Sequence, residues 1–129
     1  FDCIEAEKVY GDDLVYEVAM DERQMRITGC QIRMADVVLK EGAHALGDVL
    51  YGYGNDNKGQ EGVRTDNVFL TNALGPVLVK NPWFTQELLR LAAKKRGIAF
   101  KEEELSFNIE RKSEERIWAF VQNKMKAVK

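Results

Sequence analysis

Cysteine, proline and histidine are scarce in this chain of 129 residues, which holds two cysteines, two prolines and one histidine. Cys3 and Cys30 stand too far apart for a zinc ribbon or a CxxC redox pair, so no metal site is expected from them. They read as two reduced, buried thiols of a cytoplasmic protein, with a disulfide left open by sequence alone. No apolar run is long enough to cross a bilayer, so no membrane association is expected. The start, Phe1-Asp2-Cys3-Ile4-Glu5, has neither a basic nor an apolar segment, and no secretory signal is read there. Lacking an initiating methionine, the chain is expected to be processed, excised or incomplete. His44 is alone in Gly42-Ala43-His44-Ala45-Leu46-Gly47 and reads as a surface loop residue. A Cys30–His44 dyad is arithmetically open, but nothing local marks a nucleophile or an oxyanion hole.

What is present is the composition of one folded domain, with 45% hydrophobic and 31% charged residues. The net charge of −2 hides an asymmetry: residues 1–79 carry 14 acidic and 7 basic side chains, and residues 80–129 carry 7 acidic and 12 basic ones. The two halves therefore attract each other or separate partners. Nucleic-acid binding is not expected, because Glu102-Glu103-Glu104 and Glu114-Glu115 interrupt the basic residues.

Leu14–Met20 and Gln24–Thr28 are short, alternating runs rich in β-branched and aromatic residues, and Asp21-Glu22-Arg23 between them reads as a tight turn. Val37-Val38-Leu39 extends that sheet, and Asp48–Tyr53 adds a strand. The run Gly54–Gly62 fits neither a calcium loop nor the GxxxxGK[ST] phosphate loop and reads as a long hairpin turn, so no cofactor is implied. Val68–Thr71 is expected as a buried strand. Asn81 as N-cap and Pro82 at the first helical position start a helix with Phe84, Leu88, Leu91 and Ala92 on one face, ending at Lys94-Lys95-Arg96-Gly97. Phe107 and Ile109 suggest a short strand, and a second helix is expected from Ser113, with Ile117, Trp118, Val121, Met125 and Val128 on its apolar face. The fold class is α/β in the α+β sense, an antiparallel-rich sheet with two helices in the C-terminal part.

Two motifs carry a family resemblance. Gly29-Cys30-Gln31-Ile32-Arg33-Met34-Ala35 resembles G-Y-E-I-H-M-G, and Asn67-Val68-Phe69-Leu70-Thr71-Asn72-Ala73-Leu74-Gly75-Pro76 resembles N-V-x-G-T-Y-L-H-G-P. Both belong to the cobyric-acid-synthase type of class I glutamine amidotransferases. Tyr51–Asn55, Glu61-Gly62-Val63 and Lys80-Asn81-Pro82 are similar, within it, to the glutaminase subunits of lipid II isoglutaminyl synthases. The resemblance implies a sheet like the carboxyl-terminal half of such a domain over residues 1–97, with 98–129 as an extension packed on it. It also implies a reaction in which a histidine deprotonates a cysteine that attacks glutamine, releasing ammonia to a ligase that amidates an ATP-activated carboxylate.

The reacting groups do not carry over. Leu74 stands at the histidine position, Gln31 and Arg33 replace the glutamate and histidine of the first motif, and neither cysteine stands in a strand-to-helix elbow. The backbone and packing positions Gly29, Ile32, Met34, Gly75 and Pro76 are kept. Three readings follow: a catalytically inactive amidotransferase-like domain with a structural or partner-binding role, a fragment of an active glutaminase serving an ATP-dependent amide ligase, or an unrelated module docking a partner through its last helix. The partners expected are a synthetase or ligase chain, met through Ile117, Trp118, Val121 and Met125, or a second copy. A half-domain should leave an open strand edge and an uncovered sheet face, favouring self-association or burial by that helix.

Overall fold

The computed structural model describes residues 1–101 and 106–127. Strands β1 (Asp2–Met20) and β2 (Arg23–Val38) form a long antiparallel hairpin. The expected turn is present, reduced to Asp21 and Glu22, with Asp21 at φ 51°. Both strands run well past the limits expected from alternation, pairing on to Tyr10↔Arg33 and, after a register slip, Asp2↔Val38. Val37 and Val38 do extend the sheet, while Leu39 lies beyond it. The extension was hidden because its inward positions include Gln31 and Arg33, so the polar and apolar phases are reversed there.

Strand β3 (Gly47–Tyr51) pairs with β1, and β4 (Gln60–Glu61) pairs with β3, giving the order β2-β1-β3-β4. The expected strand at Asp48–Tyr53 thus begins one residue early and stops at Tyr51, and the glycine-rich run links β3 to β4 as a hairpin. A second ribbon consists of β5 (Val63–Thr65) and β6 (Val68–Leu70). The strand expected to be buried at Val68–Thr71 is therefore short and half-exposed, because it lies in a two-stranded surface ribbon.

A single turn, α1 (Val77–Lys80), leads into α2 (Pro82–Lys95), which starts at Pro82 as expected. Asn81 occupies the N-cap position, yet its side chain makes no capping bond and is turned into the sheet instead. Leu14, Tyr16, Val18 and Met20 of β1, Met25 and Ile27 of β2, and Trp83 and Phe84 of α2 form the core. Leu88 and Leu91 pack against it as expected, but Ala92 is exposed and Glu87 is buried, where it pairs with Arg90. At the far end, Ile98 N–H bonds Ala93 C=O and Gly97 N–H bonds Lys94 C=O, with Gly97 at φ 66°. This paired arrangement satisfies the last carbonyls and stops the helix where the sequence placed its end.

Helix α3 (Asn108–Ala127) departs most from expectation. It begins five residues before Ser113, which lies in its interior, and Phe107 and Ile109 form no strand: Arg111 N–H bonds Phe107 C=O at 2.8 Å, closing a first turn. The apolar pattern concealed the start because a charged residue, Glu114, occupies a buried anchoring position. Val128 and Glu102-Glu103-Glu104 lie outside the described residues.

The helix crosses the face of the hairpin opposite the core. Arg26 of β2 pairs with Glu114 and lies over the Trp118 ring at 4.9 Å, Val121 is fully buried, and Lys124 Nζ sits 2.8 Å from both Asp12 Oδ1 and Asp13 Oδ2 of β1. No described helix is long and apolar enough to cross a membrane.

Candidate functional site

The two motifs meet midway along the hairpin, where Cys30 pairs with Asp13. Leu74 N–H donates to Cys30 C=O at 2.8 Å as an isolated antiparallel bridge, so the second motif lies along the outer edge of the first. Gly29 permits this approach, since a Cβ there would stand 3.1 Å from the Ala73 Cβ. Backbone geometry, not reactivity, accounts for the glycine in the first motif.

The altered positions have firm structural roles. Gln31 is buried; its Nε2 donates to Gly54 C=O at 2.7 Å and its Oε1 accepts from Gly54 N–H at 3.1 Å. An amide donates and accepts at once, and this pair of bonds ties the glycine-rich loop to β2. Arg33, also buried, pairs with Asp36, donates to Asn57 Oδ1 at 2.8 Å and lies 4.4 Å from the Tyr10 ring centroid. Tyr10 in turn packs against Tyr53 at 4.9 Å. Guanidinium on aromatic face and guanidinium on carboxylate are both favourable where water is sparse. Leu74 is 41% exposed and presents only methyl groups to the surface at the position of the expected base.

Beneath Leu74 lies a polar network that sequence reading missed. Glu61 is fully buried and among the described residues forms no ion pair; its carboxylate accepts from Thr71 Oγ1 at 2.8 Å, from Asn72 N–H at 2.6 Å and from Asn72 Nδ2 at 3.1 Å. The Tyr16 hydroxyl lies 2.9 Å from Thr71 Oγ1, and since Thr71 spends its proton on Glu61, Tyr16 is the donor. Burial, with the nearby Glu61 charge, pushes the Tyr16 hydroxyl pKa far up, against the opposing Thr71 bond, and keeps it protonated for that role. Asn55 completes the set, donating to Gly62 C=O and accepting from Gly62 N–H, both at 2.8 Å. The only advance signal was the clustering of Asn, Thr and Glu beside glycines, which ordinary turns share.

The other candidates separate. Cys3 and Cys30 are free, and both are exposed, contrary to the buried thiols expected, because Cys30 falls on the outward side of β2 and Cys3 lies in the exposed first residues of β1. His44 is exposed and forms a backbone bridge with Arg64; among the described residues no hydrogen bond joins it to Cys30. Of the four residues expected on the partner face of the last helix, Val121 is buried within the chain, Ile117 and Trp118 are half-buried, and Met125 is exposed. Among the described residues no group of three or more His, Cys, Asp or Glu side chains is placed to hold a metal.

Near α3 the electrostatics are local. Burial acts to raise the Asp12 carboxyl, but hydrogen bonds from Lys124, Tyr51 and the Asp13 N–H outweigh it and hold the pKa below its ordinary 3.8. The hydrogen bonds to Asp12 and Asp13 raise the Lys124 ammonium in return.

Chemically, this arrangement offers a hydrogen-bonded frame around Gln31, Arg33 and Glu61, with the Leu74 side chain and the free Cys30 thiol exposed beside it. The described residues form an α+β unit. Over 61 residues the chain is 41% identical to subunit GatD of lipid II isoglutaminyl synthase (glutamine-hydrolyzing) from Staphylococcus aureus (strain N315). That stretch covers 46% of this chain and 25% of the relative, so the chain matches about a quarter of the length of the curated protein. The identity relates it to a glutamine-hydrolysing subunit. No family model matches.

Proposed function

We propose that this chain is a glutaminase-related scaffold that does not hydrolyse glutamine unaided and serves a structural or partner-binding role beside an ATP-dependent amide ligase of the cytoplasm. Residues 1–97 are the amidotransferase-like unit of this reading, and 98–129 its extension. The observation that carries it is Leu74: its backbone occupies the motif position beside Cys30, and its side chain can neither take nor return a proton. Gln31 and Arg33 support the same reading, because a neutral amide and a permanently charged guanidinium cannot act as acid or base near neutral pH, and both are bonded to the loop.

Ammonia release from glutamine by the purified chain is the direct test. None is expected, and Leu74→His should restore none, because Cys30 is not held as a nucleophile. Activity in the unaltered chain would overturn the proposal. A second reading, that the chain completes an active glutaminase whose nucleophile comes from outside these 129 residues, is favoured by the relative's glutamine-hydrolyzing title and the quarter of its length matched. It requires ammonia release when the complementary polypeptide is added. The 41% identity weighs against an unrelated binding module.

A further inference from the structure

Helices α2 and α3 are held to the sheet in different ways. Helix α2 buries Trp83 and Phe84 in the core and packs Leu88 and Leu91 against it. Along α3 the covered positions are Glu114, Ile117, Trp118, Val121 and Lys124, and of these only Val121 is both apolar and fully buried. The other holds are charges. Arg111 lies over the Trp83 ring at 4.2 Å, Arg26 pairs with Glu114 beneath Trp118, and Lys124 Nζ reaches Asp12 Oδ1 and Asp13 Oδ2, each at 2.8 Å. The Tyr51 hydroxyl donates to Asp12 Oδ2 at 2.8 Å and fixes that carboxylate for the lysine. Cover by the helix stops there, since Asp13 is the residue opposite Cys30.

The helix is also poorly made to stand alone. Glu110 and Glu114, and Lys112 and Arg116, set like charges four residues apart, which weakens a free helix. Docking sets Arg26 against Glu114 and relieves the first of these pairs. Once detached, a helix of this length and charge melts, so docking and folding of α3 are one event. On the face that it crosses, the cross-strand partners Val15 and Thr28 point away from the core, and both are buried.

We propose that α3 is a reversible strap, held across β1 and β2 by charge and released as a unit when ionic strength rises, uncovering Val15 and Thr28 while the core stays folded. The fold thereby controls whether that face can be reached. Opposite net charge on residues 1–79 and 80–129 favours the closed form at low salt. The screening length falls from about 8 Å at physiological salt to about 3 Å at 1 M, which weakens pairs that water reaches, and Lys124, Asp12 and Asp13 are each about one-third exposed. Helix α2, seated by apolar contacts, lacks this sensitivity.

Amide hydrogen exchange on the whole chain, followed by segment from 0.05 to 1 M NaCl, tests this. The amides of α3 should exchange faster than those of Leu14–Met20 and gain about threefold or more across the salt range, while the strand amides do not change. Return to low salt should restore protection. Lys124→Gln should speed exchange in α3 at low salt and remove most of the salt response, whereas Val121→Ala should speed it at every salt and leave the response in place. Exchange of α3 in step with the strands, a salt response shared equally by all segments, protection that does not return, or a response unchanged by Lys124→Gln would each overturn the proposal. None of these readouts depends on glutamine hydrolysis.

Discussion

The two ends of strand β2 are built to opposite rules. Between Arg23 and Thr28 the inward residues are Met25 and Ile27, and the outward Arg26 meets Glu114 and Trp118 of the covering helix. Between Cys30 and Met34 the inward residues are Gln31 and Arg33, and the outward ones are the exposed Ile32 and Met34. A strand with two faces can be inverted in this way only if the polar side has its own partners and the apolar side is served by something else. The first condition is met within the chain for Gln31, by Gly54, and in part for Arg33, which reaches Asn57, Asp36 and the Tyr10 ring while its buried Nε has no hydrogen-bond partner among the described residues. The second is not met within the described residues, and Ile32 and Met34 stay exposed.

The largest expected effect contrasts two isoleucines of this strand. Ile27→Ala, at a fully buried position, should cost about 2–5 kcal/mol in denaturant unfolding, whereas Ile32→Ala should stay within about 0.5 kcal/mol. Equal losses would break the distinction between the two ends.

The next tests whether the inverted interior tolerates the residue of the resembled motif. Gln31→Glu sets a carboxylate against Gly54 C=O and should cost about 1–3 kcal/mol at neutral pH. Burial and that carbonyl raise the folded-state pKa, so the variant should be less impaired at low pH and lose stability as pH rises through the raised value. Unchanged stability across pH would show that Gln31 is no anchor.

The smallest effect concerns the boundary itself, where α3 is held to β1. The folded pKa of Asp12 lies below 3.8, so its contribution is fully present above that value and is lost as pH falls through the depressed one. Asp12→Asn should cost under about 1 kcal/mol at neutral pH and flatten the acid limb of the stability profile. An unaltered acid limb would remove Asp12 from the latch.

Legibility followed periodicity. Helix α2 was readable at both ends because Pro82 and Gly97 act through backbone geometry alone. The start of α3 was not, since Glu114 holds a buried, sheet-facing position only by virtue of Arg26, 88 residues away. The span of the hairpin was missed for the same reason, because Gln31 and Arg33 look like solvent-facing residues until their partners are known. Asn81 was placed correctly as a helix start, yet its amide lies in the sheet, closing the backbone edge at Thr28. At the candidate site the altered positions Gln31, Arg33 and Leu74 stood out one by one, but Glu61 with Thr71, Asn72 and Tyr16 did not.

By itself the sequence determined the α+β class, the hairpin turn and the inability of the side chain at position 74 to transfer a proton, because turn chemistry, alternation and the inertness of an aliphatic side chain are local properties. Only the tertiary structure decided that Leu74 lies beside Cys30, that Gln31 and Arg33 face inward, and that cover ends at Cys30. Each of those depends on which distant groups satisfy a buried donor, acceptor or charge, and that pairing exists only once the chain is folded.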